Sequence, residues 1–215
     1  QTCALPIWIF FGKENRMKQY DYINFGKDFL YDYQIDALKE MKERGNSGLI
    51  LQGGVGCGKS RTGLYWYFMD NGGCISGQNY YPMENPKPLY IITTAHKRNK
   101  LEWEAEMCPF LIYTTNFGSK KTAHKNKKVD QKIVNRTYPN IKVTVDSWQN
   151  IEKYRAVTDA YFIFDEDHVV SFGAWGKTFI KIAQNPGNKW IVMTATPADQ
   201  WKEYGPIFVA CGFYK

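Results

Sequence analysis

The octapeptide at residues 53–60, GGVGCGKS, restricts the fold of this chain more than any other feature. It fits the pattern G-x-x-x-x-G-K-[ST], whose glycines let backbone N–H groups curl around phosphate oxygens with no Cβ in the way. In such a loop the lysine reaches the β- and γ-phosphates of a nucleotide, and the next hydroxyl ligates Mg²⁺. Because the loop needs a strand before it and a helix after it, the pattern predicts a β-loop-α unit.

The segments on either side have the required character. Residues 49–51 are a short apolar run, and residues 59–69 have the composition of a buried helix. The positive end of that helix would point at the anion. Lys59 is therefore predicted to contact phosphate and Ser60 to hold Mg²⁺, with ATP as the cofactor. The full set of loop residues assigned to the nucleotide is Gly53, Gly54, Val55, Gly56, Cys57, Gly58, Lys59, Ser60 and Arg61.

Length and charge set the wider limits. With 215 residues the chain can bury one good core, which predicts a single domain. A net charge of +7 favours a polyanionic partner but does not name it, since many soluble proteins are this basic without one. The five cysteines are scattered and form no C-x-x-C pair, so neither a zinc site nor a disulfide framework is expected. A reducing cytoplasm is the natural compartment.

The first residues have an unusual composition. Residues 3–12 are apolar but too short to span a bilayer, and no basic segment precedes them as a signal peptide requires, so no membrane association is expected. The chain begins with Gln1, whereas Met17 opens a polar sequence. We expect residues 1–16 to be a non-native remnant or a disordered extension, and residues 17–215 to be the folded domain.

From about residue 27 onward, helical and strand-like segments alternate, which indicates an α/β fold with a mainly parallel central sheet flanked by helices. The glycine- and proline-rich segment 71–88 is predicted to be a loop. The predicted helices are 33–44, 59–69 and 97–107. The predicted strands are 49–51, 89–93, 141–145, 161–164 and 190–193.

Segment 118–136 is strongly basic and has few apolar residues, which suits an exposed loop or short helix. Such a segment could contact nucleic acid, or it could be an ordinary solvated face. Its basic residues are Lys120, Lys121, Lys125, Lys127, Lys128, Lys132 and Arg136.

A second chemical motif, Asp165-Glu166-Asp167-His168, directly follows the predicted strand 161–164. Hydrolysis of ATP needs one carboxylate to hold Mg²⁺ through its water shell and a second to orient the attacking water. Asp165 suits the metal role and Glu166 the role of general base. An acidic triplet alone is more often a helix cap or an acidic turn, and its position after a buried strand favours the functional interpretation.

The order of motifs resembles the first RecA-like lobe of superfamily 2 helicases and translocases, especially Swi/Snf-like and phage-encoded members. The resemblance covers roughly residues 30–215 and rests on six ordered motifs. They are LYDYQ at 30–34, GGVGCGKS at 53–60, TTAH at 93–96 followed by LEW at 101–103, VDSW at 145–148, DEDH at 165–168 and TATP at 194–197.

The resemblance implies a three-layer P-loop (RecA-like) domain and assigns further roles. Gln34 would bond the adenine edge, and His168 would join the catalytic set. Thr194, Ala195 and Thr196 would couple hydrolysis to movement. The residues implied to contact the nucleic-acid backbone are Thr94, His96, Lys97, Ser147 and Trp148.

The chain departs from the family pattern in three places. Tyr31 and Asp32 replace the Arg-Pro pair that usually precedes Tyr-Gln, so an aromatic such as Tyr31 or Phe29 would have to stack on adenine. DEDH is not one of the commonest forms of its motif. Nothing after TATP resembles the second RecA-like lobe, which carries the arginine finger in the family. The resemblance therefore implies an ATP-binding lobe, expected to be a monomer in a bacterial or infected-cell cytoplasm, that turns ATP over poorly on its own.

Two other functions stay open at this point. One is a P-loop phosphotransferase or nucleotide switch acting on a small substrate, although the arginine-rich late lid typical of such kinases has no counterpart after Arg155. The other is a nucleic-acid-binding module, DNA or RNA, with little turnover. Intact Lys59, Ser60, Asp165 and Glu166 argue against a decayed ATP site.

Overall fold

The computed structural model describes residues 8–10, 29–76, 79–84, 86–112, 142–166, 173–195 and 204–213. Its strands are β1 Trp8–Phe10, β2 Leu49–Gln52, β3 Cys74–Ser76, β4 Asn79–Tyr81, β5 Leu89–Thr93, β6 Val143–Ser147, β7 Tyr161–Asp165 and β8 Lys189–Thr194. Its helices are α1 Asp32–Glu43, α2 Lys59–Asp70, α3 Ala95–Lys100, α4 Glu102–Met107, α5 Ala174–Gln184 and α6 Gly205–Ala210. Two 3₁₀ helices span Cys108–Phe110 and Trp148–Tyr154.

The central sheet has six strands in the order β1-β2-β8-β7-β5-β6, and every pairing in it is parallel. Strands β2, β5 and β7 are buried along their whole length, as expected of parallel strands covered on both faces. The prediction of an α/β fold with a parallel sheet flanked by helices is confirmed.

The strands alternate their side chains between two apolar layers. Leu49 and Leu51 of β2 face a layer built with α1, α2 and α4, while Ile50 faces a second layer built with α5, α6 and the 3₁₀ helix Trp148–Tyr154. The second layer is rich in aromatic side chains, with Phe164 packed edge-on against Phe179 at a ring distance of 4.8 Å. Helices on both faces of one sheet make the predicted three-layer arrangement.

Helix α2 is buried on almost every side, which fixes the loop that precedes it. Its residues Tyr65 and Trp66 are fully buried. On the side facing the sheet, a Cβ added to Gly63 would lie 2.9 Å from the Met193 sulfur of β8. Glycine at this position therefore permits the close approach of α2 to the sheet, and the start of α2 is held at the end of β2.

Several segments differ from the sequence-based prediction, which did not include helices α5 and α6. The helix predicted over 97–107 is two short helices, because Leu101 adopts a left-handed conformation with φ of +58°. That turn buries Trp103 and Met107 in the core while α3 stays at the edge of the sheet. The loop predicted over 71–88 contains the antiparallel pair β3–β4. Strand β6 begins and ends two residues later than predicted.

Strand β1 lies inside segment 1–16, which the sequence predicted to be an extension. The backbone of Trp8–Phe10 pairs with β2. These three residues therefore belong to the sheet and not to a disordered extension. The non-native origin of 1–16 stays a prediction. The basic segment 118–136, His168 and Thr196 lie outside the described residues. In the part of the chain that is described, no helix is long and apolar enough to cross a membrane.

Candidate active site

The chemical motifs meet at the carboxyl edge of the sheet, because the parallel strands that precede them all end there. The phosphate loop leaves β2 at this edge, and Asp165 ends the nearby strand β7. The N–H of Gly53 donates to the Thr194 carbonyl at 3.2 Å, which joins the loop to the TATP segment. Motifs more than a hundred residues apart in sequence therefore border one cleft.

The phosphate loop has the backbone that anion binding requires. Gly56 and Gly58 have φ values of +79° and +78°, which strongly favour glycine. Helix α2 follows its N-cap residue, Gly58, without a side-chain cap from any described residue, so the N–H groups of its first turn are available to an anion. The Ser60 hydroxyl makes no hydrogen bond to a described residue. These features fit a nucleotide phosphate with Mg²⁺ beside it.

Lys59 is folded back over its own loop. Its ammonium donates to the carbonyls of Gly53 at 2.5 Å and Gly54 at 2.9 Å, and lies 3.9 Å from the Cys57 sulfur. The ammonium is thereby held at the mouth of the loop. A phosphate entering the loop would accept hydrogen bonds from it in place of these carbonyls.

Gln34 braces the phosphate loop against α1. Its Oε1 accepts from the Tyr31 N–H at 2.9 Å, and its Nε2 donates to the Gly58 carbonyl at 3.0 Å and to Thr62 Oγ1 at 3.1 Å. The side chain is buried, and both of its N–H groups are used. A Cβ on Gly58 would lie 2.5 Å from Nε2, so a larger residue at position 58 would require the Gln34 amide to move. The adenine contact of Gln34 stays a prediction.

The two aromatic candidates for stacking on adenine have different surroundings. Phe29 packs against the core, with the Arg61 guanidinium 5.3 Å from its ring centre. Tyr31 is 68% exposed and stacks on Tyr33 at 5.4 Å. The Tyr33 hydroxyl donates to the Cys57 carbonyl of the phosphate loop at 3.2 Å. Tyr31 is therefore the aromatic that offers a ring surface next to the loop.

The described side-chain contacts of Arg61 are with residues outside the phosphate loop. Besides its position over Phe29, its guanidinium lies 3.8 Å from the Glu106 carboxylate of α4. These contacts tie the first turn of α2 to the neighbouring helix. They do not support the predicted nucleotide contact, which stays a prediction.

Asp165 is a buried carboxylate held from several directions. Its Oδ2 accepts from Thr93 Oγ1 at 2.8 Å, from Lys97 Nζ at 3.0 Å and from Trp103 Nε1 at 3.2 Å. Its backbone carbonyl accepts from Trp148 Nε1 at 2.9 Å. With Oδ2 saturated by described residues, Oδ1 is left as the oxygen that can face a cation. This fits the metal role that the sequence predicted.

Glu166 sits in an unusual backbone conformation. Its φ is +66°, a region that non-glycine residues rarely occupy and that often marks functional sites. Its N–H donates to the Met193 carbonyl of β8 at 2.9 Å, and its Oε1 accepts from Lys97 Nζ at 2.7 Å. The turn places a second carboxylate next to Asp165 at the mouth of the cleft.

The five residues assigned to nucleic acid do not form one surface. Ser147 and Trp148 are only 2% and 1% exposed. Their burial does not support the predicted contact with nucleic acid, which for these two residues stays a prediction. Trp148 instead supports Asp165 from beneath. Lys97 lies on the two carboxylates, and Thr94 caps α3 by accepting from the Lys97 N–H at 3.3 Å. His96 is exposed.

A further acidic residue, Asp146, organises the region beside this cleft; it lies in the VDSW motif, but the sequence assigned it no role. Oxygen Oδ1 accepts from Arg98 Nη1 at 2.9 Å, Asn150 Nδ2 at 2.7 Å and the Ser147 N–H at 2.8 Å. Oδ2 accepts from the Tyr154 hydroxyl at 2.7 Å. Burial alone would raise the pKa of this carboxyl, but these hydrogen bonds outweigh burial and lower it to about 2.

Replacing Asp146 by Asn is expected to destabilise the fold by about 2 kcal/mol at neutral pH, since a pKa lowered to about 2 stabilises the folded state. The folded pKa lies below the unfolded value of about 3.9, so the stabilisation is complete above that pH and is lost as pH falls through about 2. Urea unfolding of both proteins across this range tests the prediction. Asp36→Asn, at an exposed position of α1, is the control. If the difference in unfolding free energy between wild type and Asp146→Asn did not shrink as the pH falls, the prediction would be contradicted.

The carboxyl edge of the sheet thus holds a glycine-rich loop, a serine hydroxyl without a hydrogen bond to any described residue, and two neighbouring carboxylates. Such a set can bind a phosphate chain, hold a divalent cation and take a proton from water. The cleft was predictable from the motifs, whereas the roles of Trp103, Trp148 and Asp146 depend on burial and become visible only in the structure.

Comparison with known proteins gives a consistent result. The family model described as "Type III restriction enzyme, res subunit" matches residues 28–199. No curated protein sequence matches the chain. Among solved structures, the SWI2/SNF2 ATPase core of Sulfolobus solfataricus, in complex with double-stranded DNA, is similar with a TM-score of 0.59 at 16% identity. The helicase domain of Hef from Pyrococcus furiosus is similar with a TM-score of 0.50 at 18% identity.

Both structural matches cover most of this chain and a smaller part of the other protein. The first covers 90% of the chain and 38% of the Sulfolobus protein, and the second covers 84% of the chain and 36% of the Pyrococcus domain. At these identities the matches establish the fold. The chain corresponds to little more than a third of either structure.

Proposed function

Because the chain belongs to the family of type III restriction enzyme res subunits, the N-terminal lobe of superfamily 2 helicases, we propose that it binds Mg·ATP and contacts DNA as part of a nucleic-acid-dependent motor. The resemblance to this lobe that the sequence suggested is confirmed. The family is one of helicase-type ATPases. Binding and hydrolysis of ATP by this chain itself, and its contact with DNA, are what we propose.

The observation that carries the proposal is the convergence of two motifs at one edge of the sheet. The phosphate loop follows β2, the Asp165–Glu166 pair ends β7, and β8 lies between these strands. A nucleotide phosphate held on the loop would thus come within reach of both carboxylates. A phosphate loop without such a pair could bind a nucleotide but would lack a base for its hydrolysis.

In this mechanism Lys59 and the N–H groups at the start of α2 would hold the phosphates, while Ser60 and Asp165 would hold Mg²⁺. The metal, when bound, supplies positive charge to the phosphate oxygens at which charge develops. Glu166 takes the proton of the attacking water, as its place beside Asp165 allows. The Thr194 carbonyl is bonded to the loop at Gly53, which supports a role for residues 194–196 in sensing the loop.

Fewer residues support a contact with nucleic acid than the sequence suggested. The exposed His96 on α3 supports a contact next to the cleft, and the basic segment 118–136 would add charge. The Sulfolobus relative was solved with double-stranded DNA, which makes DNA the first partner to test. We propose a cytoplasmic protein that acts as a monomer.

The test is whether DNA changes the affinity for ATP. A fluorescent, non-hydrolysable ATP analogue is titrated onto the chain in Mg²⁺ buffer, alone and with single-stranded or double-stranded oligonucleotide. Coupled sites predict a shift of about fivefold or more in the dissociation constant. Heparin is the control, because it supplies polyanionic charge without bases or a sugar-phosphate backbone. An ATP affinity that DNA leaves unchanged, or that heparin shifts equally, would count against the DNA motor.

A further inference from the structure

The side chain of Lys97, on α3, reaches both carboxylates of the candidate site. Its ammonium lies 3.0 Å from Asp165 Oδ2 and 2.7 Å from Glu166 Oε1, so it bridges the two carboxylates. The contact is sheltered, since the lysine side chain is 28% exposed and the carboxylates are 4% and 23% exposed. A single ammonium thus offsets part of the negative charge of the two carboxylates to which hydrolysis is assigned.

This position would oppose a divalent cation at Asp165. Lys97 occupies Oδ2 of this carboxylate, and Mg²⁺ on Oδ1 would lie only a few ångströms from the ammonium. Two cations at that separation in a sheltered site repel each other substantially. Each cation is therefore expected to weaken the binding of the other.

The surroundings allow Lys97 to leave without disturbing the fold. Its neighbour Arg98 is anchored separately, with Nη1 donating to Asp146 Oδ1 at 2.9 Å and to Ser147 Oγ at 3.0 Å. Thr94 caps the start of the same helix. Helix α3 is thereby held at both sides of Lys97, and the lysine's flexible four-carbon stem can move alone.

We infer that Lys97 is a positioning residue, a tethered cation that holds Asp165 and Glu166 together until Mg·nucleotide displaces it. This inference rests on the proposed function, because it concerns the same carboxylates. In the nucleotide-free state Lys97 is ion-paired to Glu166. Displacement of Lys97 would remove this ion pair when the nucleotide is in place, which makes the carboxylate more available to accept a proton from the attacking water.

The test compares the Mg²⁺ requirement of nucleotide binding in wild type and Lys97→Met. Fluorescent ADP is bound at fixed concentration while Mg²⁺ is titrated. Without the competing ammonium, the half-saturating Mg²⁺ concentration should fall roughly 3- to 10-fold, the scale expected for one partly sheltered ion pair. Lys100→Met, on the exposed end of the same helix, should match wild type. Lys97→Arg keeps the charge and should restore most of the requirement.

A purely structural role gives the opposite result. If Lys97 only stabilised the site, Lys97→Met would weaken Mg²⁺ binding or leave it unchanged, and either outcome would overturn the inference. Thermal unfolding without metal or nucleotide adds a second readout: Lys97→Met should lower the melting temperature less in a Glu166→Gln background, where one negative charge is gone. Equal losses in both backgrounds would also overturn it. Lys97→Gln replaces the Met variant if that protein does not fold.

The same titrations distinguish the role of Lys97 from the proposed binding of nucleotide. Wild-type binding of ADP that requires Mg²⁺ supports the nucleotide site whatever Lys97 does. An unchanged Mg²⁺ requirement in Lys97→Met then rejects only the role of Lys97. Absence of ADP binding in the wild type would reject the proposed function and the inference together.

Discussion

Replacing Glu166 by Gln is expected to abolish ATP hydrolysis while ATP still binds. The amide has nearly the shape of the carboxylate but cannot accept the proton of the attacking water, and loss of a general base costs about 10²- to 10⁴-fold in rate. The phosphate loop and Asp165 are untouched by the change, so the nucleotide keeps its main contacts. Single-turnover hydrolysis of radiolabelled ATP measures the rate even where turnover is slow.

Glu43→Gln is the matched control, since Glu43 is an exposed glutamate at the end of α1. It should hydrolyse ATP at the wild-type rate. If Glu166→Gln kept the wild-type rate, the general base would have to be another group, and the role given to the left-handed turn at Glu166 would be wrong. A loss of ATP binding in this variant would instead place Glu166 in the nucleotide-binding set.

Replacing Lys59 by Met is expected to weaken ATP binding about 10- to 100-fold, the range for losing a hydrogen bond to a charged phosphate. Among the described residues the lysine ammonium bonds to the loop carbonyls of Gly53 and Gly54 and lies near the Cys57 sulfur, so its loss removes no described core contact. Thermal stability without nucleotide should therefore change little. Equilibrium binding of a labelled ATP analogue measures the effect.

Lys177→Met provides the comparison on an exposed face of α5, away from the cleft. Its ATP affinity should equal that of the wild type. A Lys59→Met protein that binds ATP normally would show that the glycine-rich turn is not the phosphate site, despite its sequence pattern.

The central features of the fold were predictable because they depend on local sequence. Strand 89–93 was predicted with its observed limits, and the β2–loop–α2 unit follows from a pattern that combines glycines with an apolar strand and helix. Asp165 at a strand end was predictable for the same reason. The break at Leu101 was not, because no glycine or proline marks it.

The contacts around the carboxylates could not be predicted from motifs. A motif gives the residue that follows a strand, but not whether its side chain turns to the cleft, the surface or the core. Trp148 begins a 3₁₀ helix that turns beneath β7, which buries its indole, although the family motif suggested a surface contact. The Lys97 side chain could point to solvent or to the two carboxylates. The buried charge of Asp165 favours the rotamer that contacts the carboxylates. Packing against residues that are distant in sequence determines the positions of the Trp148 and Lys97 side chains.

The most direct measurement of the central claim is calorimetric binding of ADP to the wild-type chain with Mg²⁺ and with EDTA. The arrangement of the loop, Ser60 and Asp165 predicts saturable binding that is strong with Mg²⁺ and markedly weaker in EDTA. No binding under either condition, or equal binding in both, would contradict a magnesium-nucleotide site at the carboxyl edge of this sheet.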